Sequence, residues 1–207
     1  MAEASGQIEN LLISELRHRL ANSFQLLQAV IRIRLRSAAD PESRRHLSWL
    51  LDVVTALGML QQRIGLTGPT DFGAYLIEAA SYWRRVCEDR SISLVLNVAA
   101  VQVSEAQAST LALIIHELIS NCIEHAFPGG AAGSIELLLK ERRDGTRELV
   151  VRDNGGGVSA IADGDDHQGL ELVRGLAAHL GGTVAIIDGD GFTVRVLIPR
   201  EEGPLPH

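Results

Sequence analysis

Apolar positions in the first third of the chain recur every three to four residues, the spacing of one face of an α-helix. Ile8, Leu11, Leu12, Leu16, Leu20, Leu27, Val30 and Ile31 carry this period, and Leu47, Leu50, Leu51, Val54, Leu57, Met59 and Leu60 carry it again. The pattern predicts two long helices, over 3–37 and 42–63. Between them lies Ala38-Ala39-Asp40-Pro41, with Pro41 suited to a first helical turn and Asp40 to its cap. Val30 to Arg36 alternates like a strand, but the unbroken period before it and the lack of a turn signal favour helix. Two amphipathic helices on a short connection make an antiparallel hairpin. A hairpin alone rarely buries both apolar faces, so a second copy completing a four-helix bundle is expected.

The texture changes after Gly65-Leu66-Thr67-Gly68-Pro69-Thr70, which reads as a linker. A helix is predicted over 73–88, then a strand in which Ile92, Leu94, Leu96 and Val98 alternate. Ser104 and Gln107 have capping-box spacing for a helix running to about 126. In it Leu111, Ile114, Ile115, Leu118, Ile119 and Cys122 form one apolar stripe. Strands at 134–142 and 147–153 follow, then a helix over 168–180 ended by Gly181-Gly182. Strands 183–187 and 192–198 flank the hairpin turn Asp188-Gly189-Asp190-Gly191. Five strands and three helices make an α+β layered domain. The expected division is 1–66 for the hairpin, 71–200 for the α+β domain and 201–207 for a frayed tail.

Composition narrows the function. At 207 residues with 46% hydrophobic and 22% charged content, a packed core is within reach and disorder is disfavoured. The net charge of −7 argues against sequence-independent nucleic-acid binding, which needs a basic face. No apolar run approaches the roughly 20 residues that span a bilayer, and no signal peptide is visible. Cys87 and Cys122 make no C-x-x-C pattern. The expectation from these features is a soluble cytoplasmic protein with reduced thiols.

The candidate chemistry gathers in four places. Glu117, Asn121 and His125 lie four apart on the polar side of their helix, a carboxylate, an amide and an imidazole in register. Mg²⁺ takes hard oxygen ligands and usually only one or two from protein, so Asn121 suits a metal–nucleotide site. Asp153-Asn154-Gly155-Gly156-Gly157 ends a strand; its carboxylate can accept an adenine amino hydrogen, and the glycines let backbone approach the base. His167-Gln168-Gly169-Leu170 opens a helix, and helix N-termini bind phosphate. Glu15, His18, Arg19 and Asn22 cluster on the first helix, where an exposed imidazole can attack a phosphoryl group. His46, His116, His125, His167, His179 and His207 compete for that role on composition alone.

Together these motifs resemble the HWE/HRxxN-type sensor histidine kinases. Glu15 to Asn22 is similar to that family's phosphoacceptor box, H-R-x-x-N, and Glu117 to Pro128 to its N box, E-L-x-x-N-x-x-K-H-A-F-P. Asp153 to Gly157 resembles its D-x-G-x-G box, and Gly169 to Arg174 its second glycine box. The resemblance runs in order over residues 8–198. It implies a dimeric helical-hairpin domain followed by a GHKL-type α/β sandwich that binds ATP and Mg²⁺. It further implies that His18 is phosphorylated, with Asn22 in the same catalytic box, that Asn121 holds Mg²⁺ and that Glu117 assists. Asp153 would contact adenine; Gly155, Gly157, Gly169, Leu170 and His125 would complete the nucleotide site. The implied partners are a response-regulator receiver domain and a second copy joined through residues 1–66.

The chain departs from the family's pattern at several points. Glu124 stands where the family has Lys, His116 where it has Asn, and Asp166 where a small residue is common. Thr-Arg is missing before the last strand, at Asp190-Gly191-Phe192. The stretch from Gly155 to Gln168 has no Lys or Arg and carries Asp163, Asp165 and Asp166. Arg152 and Arg174 are the candidates to compensate. The leading expectation is an ATP-dependent kinase that phosphorylates His18 and passes the phosphoryl group to a response-regulator aspartate. The alternative is a histidine phosphotransferase with a degenerate ATP site, supported by Glu124 and the cation-poor stretch. An anti-sigma-type serine kinase is a third reading, which the His18 hairpin disfavours.

Overall fold

The computed structural model describes residues 2–63, 70–156, 167–189 and 191–200. The chain divides into two compact units, 1–69 and 70–207.

The first unit is the hairpin of α1 (Ala2–Ser37) and α2 (Pro41–Arg63). Asp40 caps α2 through a 2.8 Å bond from the Ser43 N–H to its carboxylate. The segment Val30–Arg36 is helical, as the continuous period indicates. The apolar positions of α1, however, do not form a single buried stripe. Ile31 is buried against α2, with Ala21, Phe24, Gln28, Leu35 and Ala38 half-buried beside it. Leu16, Leu20, Leu27 and Val30 form a second stripe and remain 43–61% exposed. The first stripe steps by alternating threes and fours, the second by four, seven and three, and they lie about a quarter-turn apart. A helix with two such stripes has two neighbours to satisfy, and α2 satisfies one.

The second unit is an open-faced sandwich. Its sheet has the order β2–β4–β5–β7–β6, built from Ile92–Val98, Gly133–Glu141, Arg147–Asp153, Gly191–Ile198 and Thr183–Gly189 respectively. β2 and β4 are parallel and the other pairs antiparallel, so the sheet is mixed. The parallel pair requires a crossover, supplied by α4 (Glu105–His125). α3 (Phe72–Glu88), α4 and α5 (His167–His179) cover one face. Alternate strand residues, among them Ile135, Leu137, Leu139, Val151, Val194 and Val196, point into that layer and are at most 1% exposed. The opposite face carries Val95, Glu136, Glu148, Arg152 and Arg195.

A second, two-stranded ribbon joins β1 (Thr70–Asp71) to β3 (Gln102–Val103). It was not foreseen, because two residues are too few to show a period. Ser104 caps α4 by accepting the Gln107 N–H at 3.3 Å, but the Gln107 side chain also accepts from the buried Arg147. α5 ends in a Schellman motif: Gly181 has φ +67°, and Gly182 N–H donates to Ala177 O at 2.8 Å.

Candidate functional site

The N-box helix α4 is the best-buried helix of the second unit, because the sheet takes one side and α5 the other. This corrects the simple two-sided picture of an apolar face and a solvated polar face. Glu117 is 7% exposed and Asn121 half-buried, both against the first turn of α5. The contact is made at Gly169. A Cβ there would collide with Glu117 Oε1 and lie 3.0 Å from Asn121 Nδ2, so only glycine lets α5 begin at this depth. Leu170 is half-buried in the same turn.

Asp153 closes β5 and is 6% exposed. Its Oδ1 accepts two backbone N–H groups, from Gly155 at 2.9 Å and from Phe192 at 3.3 Å. Oδ2 is buried and has no hydrogen-bond partner among the described residues. With no stronger donor than the Cys122 thiol beside the carboxylate among the described residues, that oxygen keeps the capacity to accept from water or a ligand. Beneath it lies the Cys122 thiol, pushed well above its ordinary value by burial and then by the Asp153 charge, hence protonated. Gly155 passes so close to the end of α4 that a Cβ would collide with Ala126 O, and Gly156 N–H donates to that carbonyl at 3.0 Å. Asn154 ties the loop to β4, accepting the Ser134 N–H at 2.7 Å. Gly133 in turn lies against the Phe127 ring.

These contacts bring Glu117, Asn121 and Gly169 together across the α4–α5 seam, and Asp153 and Gly155 together at the end of α4. Gly157 and the acidic run Asp163, Asp165 and Asp166 lie outside the described residues. His125 is half-buried at the C-terminal end of α4, with its Nε2 3.8 Å from Glu124 Oε2. Glu124 itself is 44% exposed and borders a cleft with Asp89, Arg90, Phe127 and Pro128, which shares no residue with the Glu117–Asn121–Gly169 seam or with Asp153. In water a like charge at 4 Å costs only about 1 kcal/mol, against about 4 kcal/mol at a less polar site. Arg152 is engaged elsewhere: its guanidinium pairs with Glu136 on the open face, and as the residue before Asp153 in β5 it points to the other side of the sheet. Arg174 is exposed on α5.

His18 and Asn22 are exposed on α1, clear of both apolar stripes. Glu15 sits one turn before Arg19, and the two form a salt bridge of 2.6 Å. Among the described residues no group of three or more His, Cys, Asp or Glu side chains is placed to hold a metal ion. A divalent cation at this site would therefore depend on the Asn121 amide oxygen, with water and phosphate oxygens filling the remaining positions. No helix among the described residues is long and apolar enough to cross a membrane.

Sequence reasoning missed Phe192, Asn154 and Gly133. Phe192 and Ala126 contribute only backbone groups, which leave no mark in residue type. The Asp188–Gly191 segment carried a signal, but one that read as a turn.

Two family profiles match in the order of the two units. One, described as histidine kinase, covers residues 15–94, and the other, described as histidine kinase-, DNA gyrase B- and HSP90-like ATPase, covers residues 106–202. The chain belongs to the HWE/HRxxN-type histidine kinases. Blue-light-activated histidine kinase 2 of Erythrobacter litoralis is 28% identical over 206 residues, covering 92% of this chain and 57% of that protein. The sensor histidine kinase PdtaS of Mycolicibacterium smegmatis is 26% identical over 208 residues, 91% of this chain and 40% of that one. The solved histidine kinase domain of an Erythrobacter litoralis blue-light activated histidine kinase superposes with a TM-score of 0.67 at 25% identity, covering 90% of this chain and 92% of that one. The chain thus spans 57% and 40% of the length of these two curated relatives. The match to the ATPase family implies ATP as the nucleotide.

Proposed function

We propose that this chain is the catalytic core of a two-component histidine kinase, phosphorylating itself on His18 from ATP and passing the phosphoryl group to an aspartate of a response-regulator receiver domain. The observation that carries the reading is the buried Oδ2 of Asp153, which accepts no N–H or O–H among the described residues, next to a loop that packs on the end of α4 through Gly155. A carboxylate oxygen there accepts the adenine amino hydrogen, and Gly155 lets the following loop pack against the Ala126 carbonyl.

ATP supplies the γ-phosphoryl group, and Mg²⁺ neutralises charge on the phosphate oxygens. The chain's own residues bind and orient. Asp153 holds the base, Asn121 offers an amide oxygen to the cation, and Glu117 sits one turn away to accept a hydrogen bond or proton. α5 begins at that point, so its free N–H groups and dipole favour phosphate. His18 presents its imidazole from an exposed helical face, where a nucleophile must be reachable by both donor and acceptor. Little covalent chemistry is asked of the protein; positioning and charge neutralisation supply the rate.

The second apolar stripe of α1 supports a homodimer through residues 1–66, because Leu16, Leu20, Leu27 and Val30 are what a four-helix bundle would cover. The exposure of Glu124 weakens the main argument for a decayed nucleotide site. Titration with Mg²⁺ and ATP tests the site directly. Asn121→Ala is expected to weaken Mg-ATP binding at least tenfold with an unchanged melting temperature. Unchanged affinity in that variant would contradict the placement.

A further inference from the structure

The β5–β7 ladder ends at the pair Arg152 and Thr193. One residue further along, a side chain replaces the next backbone rung: the Phe192 N–H donates to Asp153 Oδ1. With the Gly155 N–H on the same oxygen, the carboxylate is held from two sides, and among the described residues Oδ2 accepts no N–H or O–H. Gly191 permits this approach. Its φ is +122°, a region L side chains rarely adopt, and a Cβ there would collide with the Asp153 carbonyl oxygen and lie 3.0 Å from Asn154 Cα. Gly189, its partner across the hairpin, has no heavy atom within 4 Å of a Cβ position. The two glycines look alike in sequence, but only Gly191 is sterically required.

We propose that Gly191 is a positioning residue for base selectivity: by seating β7 on the end of β5 it lets the Phe192 N–H orient Asp153, so that Oδ2 meets the amino group of adenine and rejects the carbonyl oxygen of guanine. Adenine presents a donor at its six-position and guanine an acceptor, and a fixed carboxylate discriminates between them. A carboxylate free to rotate satisfies itself elsewhere and discriminates less. The inference rests on the reading of Asp153 as the base contact, and the test separates the two.

The experiment is calorimetric titration of the whole chain with Mg-ATP and with Mg-GTP, for the native protein and for Gly191→Ala, Gly189→Ala and Asp153→Asn. Gly191→Ala is expected to narrow the ATP-over-GTP preference by roughly tenfold, the value of one hydrogen bond to a charged group, while Gly189→Ala keeps it. A merely structural role would weaken both nucleotides equally. Undiminished preference in Gly191→Ala, or equal loss in Gly189→Ala, would overturn the proposal. Undiminished preference in Asp153→Asn would instead overturn the base contact itself. If Gly191→Ala does not melt cooperatively, hydrogen exchange at the Phe192 amide decides. Exchange is expected to quicken at least tenfold in Asp153→Ala, and equal rates in that variant and the native protein would refute the orienting bond.

Discussion

At the scale of single residues, burial and pairing separate side chains that look equivalent in sequence. Glu124 and Glu148 are both acids near the nucleotide-binding unit's strands and helices, yet their surroundings differ completely. Glu148 is 7% exposed in its side chain, 2.9 Å from Arg142 and 3.2 Å from both Lys140 and Arg195. Hydrogen bonds from Arg142, and then Lys140, pull its carboxyl from 4.5 down to about 2. The folded value lies below the unfolded one, so this group contributes stability above pH 4.5 and loses it as pH falls toward 2. Glu148→Gln is expected to cost about 1–2 kcal/mol at neutral pH and to flatten the acid side of the stability curve, as measured by urea unfolding between those limits. An unchanged acid limb would mean that the cations do not hold Glu148 in this way. Asp153 was legible from sequence because a carboxylate followed by glycines at a strand end is a visible combination. Its orienting donor, the Phe192 N–H, was not legible, since every residue but proline carries that group.

At the scale of elements, periodicity was a good guide wherever an element is long enough to repeat. All five strands of the main sheet were readable to within two residues, the largest difference being β6, which runs on to Gly189 where a turn from Asp188 was expected. The β1–β3 ribbon has no pattern to read. In α1 the difficulty was the reverse: two heptad stripes overlap, and apolar positions alone do not say which faces α2. Tertiary packing decides, placing Ile31 inside and Leu27 outside. If the proposed homodimer forms through this stripe, Leu27→Glu is expected to dissociate it while leaving the helical circular dichroism intact. Leu26→Glu, at a neighbouring position 66% exposed and off the stripe, is expected to do neither. Sedimentation of the two variants checks this, and a dimer that survives Leu27→Glu would place the subunit contact elsewhere. Caps are the other readable signal. Ser104→Ala removes the acceptor for the Gln107 N–H and is expected to cost about 1 kcal/mol, visible as a lower melting temperature.

At the scale of the whole molecule, the candidate site residues are shared between two units. The hairpin offers an exposed imidazole, and the sandwich carries Glu117, Asn121, Asp153, Gly155 and Gly169 on three separate stretches of chain. The order of motifs along the chain made this pairing legible in advance, since each motif alone has an ordinary explanation as a helix face, a turn or a loop. The depth at which Glu117 sits was not legible, because it depends on α5 folding back over α4 some fifty residues later in sequence. The apparent conflict at Glu124 also dissolves only in three dimensions, where the side chain borders water.

The most direct test is incubation of the purified chain with Mg²⁺ and ATP labelled on its γ-phosphate, followed by exposure of the product to acid and to alkali. The expected result is a label that acid removes and alkali does not, absent from His18→Gln while that variant still binds Mg-ATP normally. Label retained in His18→Gln would contradict the assignment of the phosphoacceptor. A native chain that binds no nucleotide and takes phosphate only from a phosphorylated receiver domain would contradict the kinase itself.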